Sequence, residues 1–198
     1  MYDREMDGLN AFVLAGGKST RMGTDKAFVE LDGQTLLQRA LDRIEPVGRR
    51  VWILGSRAKF ESYGPVVEDE FPDHGPLGGI HAALRVSDRE LNLILAVDMP
   101  FVESRFLEYL VKCARDTAAV VTGPRAEGRW QPLCAVYRRD FAIVAEQALK
   151  ADKNKIDPLF SEVQVRAIEE TELSTNGFTP EMFRNLNTAA DVEAVRRM

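Results

Sequence analysis

The chain has 198 residues, close to one domain at about 150 residues each, and a chain of this size buries about 70% of the surface its unfolded form exposes. With 45% hydrophobic and 29% charged residues, it is neither mainly disordered nor collagen-like, and it needs no disulfide or metal staple to fold. A net charge of −5 gives the wrong field for a nucleic-acid partner, and the longest apolar run, around Leu93 to Val97, is far short of the roughly 20 residues of a membrane span.

Residues 1–8 read as a polar arm, and residues 9–198 as one domain. The start, Met-Tyr-Asp-Arg-Glu-Met-Asp, lacks the apolar stretch of a signal peptide, so a cytoplasmic protein is expected. Leu9 to Ala15 is a short apolar run ending in glycines, the pattern of a buried strand entering a loop. From Thr35 the period becomes helical, with Leu36, Leu37, Ala40, Leu41 and Ile44 on one face and Pro46 and Gly48 as the stop. Strands are predicted at Val51–Leu54 and Pro65–Val67. A loop follows from Glu68 to Gly79, and then a short helix over Ile80–Val86.

Leu91 to Val97 is the strongest strand signal, a continuous apolar run buried on both faces. Phe106, Leu107, Leu110, Val111 and Ala114 form a helical stripe, and so do Phe141, Val144, Ala145, Ala148 and Leu149. Between them, Ala118–Thr122 and Leu133–Tyr137 read as strands, with a turn from Gly123-Pro124 to Gly128. A short helix near Asp157–Glu162, a strand at Val163–Ile168 and a last helix capped by Thr188, with Asp191 three residues on, complete the pattern. Strands alternating with helices predict a layered α/β fold with a largely parallel sheet. Ligands of such sheets bind beyond the carboxyl ends of the strands.

Two cysteines, Cys113 and Cys134, lie among apolar residues outside any CxxC pair, as small core residues do. His74 and His81 lack the spacing of a metal pair.

Two loops at the ligand edge carry chemistry. Gly16 to Lys26 combines glycines, hydroxyls and the cations Lys18, Arg21 and Lys26, a match for triphosphate oxygens. It is not a Walker A loop, because Phe12 stands where GxxxxGK[ST] needs glycine, and there is no GxGxxG. Asp98-Met99-Pro100 ends the central strand with a carboxylate suited to Mg²⁺ or to capping the strand–turn junction.

The segment from Leu14-Ala15-Gly16-Gly17-Lys18 to Arg21-Met22-Gly23-Thr24-Asp25-Lys26 resembles the signature loop of the nucleotidyltransferases related to molybdenum cofactor guanylyltransferase (MobA). The resemblance extends to Gly75-Pro76-Leu77-Gly78-Gly79, to Asp98-Met99-Pro100, to Gln131-Pro132-Leu133 with Tyr137, and to Asn185-Leu186-Asn187-Thr188. It implies a three-layer α/β/α, Rossmann-like fold of the nucleotide-diphospho-sugar transferase type. It also implies transfer of GMP from GTP to molybdopterin, with Mg²⁺ as cofactor. Lys26, Arg21 and Asp98 are the implied catalytic residues, with Asp98 on the metal. The implied nucleotide site is Leu14, Ala15, Gly16, Gly17, Lys26, Asp69 and Asp98. Trp130, Gln131, Asn185 and Asn187 are candidates for the pterin, although Trp130 equally suits packing a hairpin and the Asn-Thr pair equally suits capping a helix.

The implied partners are molybdopterin and GTP, with molybdenum-insertion proteins and apo-molybdoenzymes beyond them. The Gly16-Gly17 pair favours the guanylyltransferases over the cytidylyltransferases, which usually have Ala-Ala-Gly. Leu54-Gly55 departs from the family, which often has Asn at that strand end, and so removes a side-chain contact to the nucleotide. A CTP or sugar-phosphate nucleotidyltransferase and a non-catalytic binding module are the alternatives.

Overall fold

The computed structural model describes residues 8–16, 25–187 and 189–196. Most of the N-terminal arm, Gly17, Lys18, Arg21 and Thr188 lie outside the described residues.

The elements run in this order. β1 (Leu9–Leu14) leads to a 3₁₀ turn at Lys26–Phe28, and a small hairpin of β2 (Glu30–Leu31) and β3 (Gln34–Thr35) follows. Next come α1 (Leu36–Ile44), β4 (Val51–Leu54), α2 (Arg57–Phe60), β5 (Val66–Val67) and α3 (Pro76–Val86). The middle of the chain forms β6 (Leu91–Ala96), α4 (Ser104–Arg115), β7 (Val121–Ala126), β8 (Arg129–Trp130), β9 (Cys134–Arg138) and α5 (Phe141–Lys150). A 3₁₀ turn at Asp157–Ser161, β10 (Val165–Ile168), α6 (Glu170–Thr175), a 3₁₀ turn at Pro180–Phe183 and α7 (Ala189–Arg196) complete it.

The main sheet has the order β10-β7-β9-β6-β1-β4-β5, with β8 paired to β7. β1 is parallel to both neighbours, β4 and β6. β9 runs antiparallel to β6 and to β7, so the sheet is mixed but mostly parallel. β1 alternates cleanly. Leu9, Ala11 and Val13 pack into one apolar layer with α1, α4 and the segment from Phe178 to Val192. Phe12 and Leu14 pack into the other with α3, α5 and the turn at Leu159-Phe160. Helices thus cover both faces of a central sheet, the three-layer arrangement expected. Asn10 and Asn92 are buried within this apolar sheet. Asn10 donates to Ser87 Oγ and Asp88 Oδ1, both at 2.9 Å, and Asn92 donates to the backbone of Arg89 and Glu90.

Local sequence explains most boundaries. Thr35 caps α1, its hydroxyl accepting the Gln38 amide at 3.2 Å. α3 begins at Pro76, four residues before the expected start at Ile80, because Gly75 at φ 65° turns the chain and Pro76 takes the first helical position. Two further glycines sit inside this helix, where packing leaves no room for a side chain. A Cβ on Gly79 would lie 2.6 Å from Leu14 Cδ1.

β7 also differs from expectation, running through Gly123-Pro124 to Ala126 instead of stopping at Thr122. Proline is tolerated there because the ladder changes partner at that point. β9 pairs up to Thr122 and β8 takes over at Arg125. The sequence did not predict β8, α6 or the turn at Pro180–Phe183.

Candidate active site

Three parallel strands, β1, β4 and β6, end together, and the chain leaves β1 toward β4 on one side and β6 on the other. This is the switch point at which α/β sheets bind ligands. Backbone bonds knit the edge: the Val97 amide donates to Leu14 O at 3.0 Å, and Ala15 and Gly16 both donate to Leu54 O, at 3.0 and 2.8 Å. A Cβ on Gly16 would lie 3.1 Å from Gly55 Cα, so glycine lets the two strand ends meet. The resemblance implied that Leu14, Ala15 and Gly16 hold the nucleotide by their backbone. The Ala15 and Gly16 amides are already donated to β4 and anchor the start of the loop.

Lys26 and Asp98 meet at this edge. Lys26 opens the 3₁₀ turn, which Asp25 caps by accepting the Ala27 amide at 3.2 Å. Lys59 in turn pairs with Asp25 at 2.7 Å. Lys26 Nζ lies 3.1 Å from Asp98 Oδ2 and 2.7 Å from Asn187 Oδ1. Both charged side chains are largely enclosed, with 22% of Lys26 and 17% of Asp98 exposed. The C-terminal segment is tied to the same place: Leu186 donates its amide to Asp98 O at 2.9 Å, and Asn187 donates its amide to Asp191 Oδ2 at 2.8 Å. The cap expected of Thr188 with Asp191 lies outside the described residues.

Two buried acceptors are left over. Asp98 Oδ1 and Asn185 Oδ1 are shielded from solvent with no hydrogen-bond partner. Unpaired oxygens of this kind suit a hard cation. Among the described residues no cluster of three His, Cys, Asp or Glu side chains forms. Mg²⁺ here would therefore rely on one carboxylate, an amide oxygen, and oxygens from substrate and water.

Asp69 lies beside the start of α3. Its Oδ1 accepts the Phe71 amide at 2.7 Å. Its carboxyl packs so closely on Gly78 that a Cβ there would sit 2.1 Å from Oδ2. Burial pushes its pKa above the ordinary carboxylate range, against the opposing pull of the Phe71 amide. A Gly78→Ala variant should therefore lose about 1–3 kcal/mol, the usual scale of overpacking. Urea unfolding measures this, and wild-type stability would show that Asp69 has room to move.

The antiparallel course of β9 brings the segment before it to the ligand edge. Ala96 donates its amide to Leu133 O at 2.8 Å, and Cys134 donates to Gln131 O at 3.0 Å. Gln131 thus neighbours the end of β6. Trp130 packs edge-on against Phe160, with ring centroids 5.1 Å apart, and carries the Arg125 guanidinium over its face. This is the hairpin-packing alternative.

The remaining candidates fall into place. Cys134 is fully buried, whereas Cys113 is only partly buried beside Glu172. Cys113 thus packs at the edge of the core and not within it, because Glu172 of α6, which the sequence did not predict, joins Tyr109 of α4 and Arg166 of β10 in a polar network there. His81 is buried in α3 against Phe71, and His74 faces Asp152 at 3.2 Å. Neither joins the Asp98 cluster.

The model of the MobA-like NTP transferase domain matches residues 11–165, most of the chain and the whole of this strand edge up to Gln131. The chain belongs to this family. A probable molybdenum cofactor guanylyltransferase of Carboxydothermus hydrogenoformans is 31% identical, over 98% of each chain. A molybdenum cofactor guanylyltransferase of Syntrophotalea carbinolica is 32% identical, over 95% of this chain and 90% of that one. Among solved structures, molybdopterin-guanine dinucleotide biosynthesis protein A from Archaeoglobus fulgidus is 26% identical. It superposes with a TM-score of 0.82, covering 96% of this chain and 100% of that one. CMP:2-keto-3-deoxy-manno-octonic acid synthetase, at 14% identity and a TM-score of 0.70, shares the fold. The MobA-like chain is thus a nucleotidyltransferase of the nucleotide-diphospho-sugar transferase fold. None of its described helices is long and apolar enough to cross a membrane.

Proposed function

We propose that this MobA-like enzyme transfers the GMP unit of GTP to the terminal phosphate of molybdopterin in the cytoplasm. The observation that carries the reading is the convergence of Lys26, Asp98 and Asn187 on one nitrogen at the switch point. Its full-length relatives carry the guanylyltransferase name.

The chemistry asks little of acid–base groups. An acceptor phosphate oxygen, ionised at neutral pH, attacks the α-phosphorus of GTP. The bond from that phosphorus to the bridging oxygen breaks, and pyrophosphate leaves with the bonding pair. No general base is needed, so the absence of His74 and His81 from the cluster poses no difficulty. The work is positioning and charge neutralisation. Lys26 would turn from Asp98 to the phosphates when nucleotide binds, with Arg21 joining it from the signature loop. Asp98, with Asn185, would hold Mg²⁺, which supplies charge neutralisation at the phosphate oxygens. The loop at Leu14–Gly17 would seat the base and ribose, Asp69 would meet the guanine, and Gln131 would reach the acceptor.

A nucleotide panel tests the reading. Pyrophosphate release should require molybdopterin and should favour GTP over CTP and ATP. The margin should be modest, because Leu54 offers no polar contact to the base. Preference for CTP would assign the chain to cytidylyl transfer, and binding of both ligands without pyrophosphate would make it a carrier module.

A further inference from the structure

A cavity of about 810 Å³ opens on the α1–α4 face of the molecule, bounded by the turn at Pro180–Phe183 and by Val195 of α7. None of Lys26, Asp98, Asn185 and Asn187 lines it, so it is a different space from the proposed active site. Pro100, which lines it, is two residues past Asp98, and Arg184, which also lines it, precedes Asn185.

The chain as a whole is acidic, with net charge −5, yet four arginines and only two glutamates line this cavity. One of those pairs is self-contained. Arg105 binds Glu103 at 2.8 Å, donates to Gly177 O at 2.7 Å and stacks over Phe178. Arg39 is partly satisfied by Leu31 O at 2.8 Å and by Asp32, but its Nε is buried without a hydrogen-bond partner. The guanidiniums of Arg43 and Arg184 have no acid or hydrogen-bond partner among the described residues. Against these three guanidiniums stands Glu181, which is already engaged by Thr179. The rest of the lining includes Phe101, Met182 and Val195, an apolar floor beside a cationic rim.

We infer that this cavity is a second ligand site, taking a small organic dianion: a phosphate or a dicarboxylate carried on an apolar, preferably aromatic, body. Guanidinium forks match both oxyanions in two-point contact. The apolar floor supplies the driving force that an inorganic ion could not use. The inference does not depend on which nucleotide or acceptor the enzyme uses.

The test uses 1-naphthyl phosphate and phthalate as probes, titrated into the full chain by fluorescence and calorimetry, with inorganic phosphate as the control lacking an apolar body. At least one probe should bind at least tenfold more tightly than inorganic phosphate, and the better of the two names the oxyanion. Joint Arg43→Gln and Arg184→Gln replacement should weaken that binding tenfold or more, the scale of lost charged hydrogen bonds. Arg184→Lys should recover part of the loss. Both arginines reach solvent, and an unchanged melting temperature will show that the variants fold. Saturating GTP and the Lys26→Ala variant should leave probe binding unaltered. Displacement by GTP, loss with Lys26→Ala, full binding in the double Gln variant, or no binding of either probe at millimolar concentration would each overturn the inference.

Discussion

Asp98→Ala is expected to abolish Mg²⁺-dependent turnover, a loss of about three orders of magnitude or more. The side chain sits at the end of β6 and is largely enclosed, with one oxygen on Lys26 and the other buried and unpaired. Replacing it removes the carboxylate that would hold the cation and takes one partner from the Lys26 ammonium. Asp98→Asn keeps the shape but not the charge, and should fail almost as badly. The measurement is pyrophosphate release across a Mg²⁺ titration, with chelation of the parent protein as the matching control. Activity that survives exhaustive chelation, or an Asp98→Ala enzyme within tenfold of the parent, would remove the metal from the assignment.

Lys26→Ala should reduce turnover by about two orders of magnitude, the scale of losing one charge partner in a phosphoryl transition state. Its effect on the resting protein should be a loss of no more than about 3 kcal/mol, because the pair is largely enclosed but still reaches solvent. The split matters: a loss in kcat in a variant that still melts cooperatively marks a residue that acts on the reacting phosphates. Near-normal turnover would reduce Lys26 to a structural link between Asp98 and Asn187. The same contact alters what Asn187 should do. Its position in the C-terminal motif suggests a purely pterin-side role, but its Oδ1 accepts from Lys26 at 2.7 Å. Asn187→Ala should therefore perturb GTP as well as acceptor, rather than acceptor alone.

Much of the fold could be read from the apolar runs. β1 and β6 are hydrophobic apart from Asn10 and Asn92, and the stripes of α1, α4 and α5 keep helical spacing. The first turn of α3 was not legible, because Gly75, Pro76, Gly78 and Gly79 look like loop residues. Gly78 and Gly79 admit Asp69 and Leu14 against the helix, while Gly75 and Pro76 turn the chain into it. The α6 segment, Glu170–Thr175, has only Leu173 in the core, and a charged network with no sequence period holds it. At the site, Lys26 and Asp98 were legible through motifs at strand ends. Asn185 and Asn187 were visible as a motif, but their link to Lys26 was not, since only the folded sheet brings the two ends of the chain together. The arginine cavity left no motif at all, as its lining is drawn one or two residues at a time from several elements.

The 2.7 Å contact between Lys26 and Asn187 spans 161 positions of sequence, and it has a consequence for how the enzyme is made. A growing chain emerges from the ribosome N-terminal end first and folds by domains. β1, β4 and β6 can pair, and Lys26 can meet Asp98, long before Asn187 is synthesised. Until that segment docks, the Lys26 ammonium lacks its Asn187 contact and the Asp98 carbonyl lacks the Leu186 amide. A nascent chain should thus acquire its sheet early and its competence to react only once residues 185–187 have docked, so that chains cut short before them make folded scaffolds without nucleotidyl transfer.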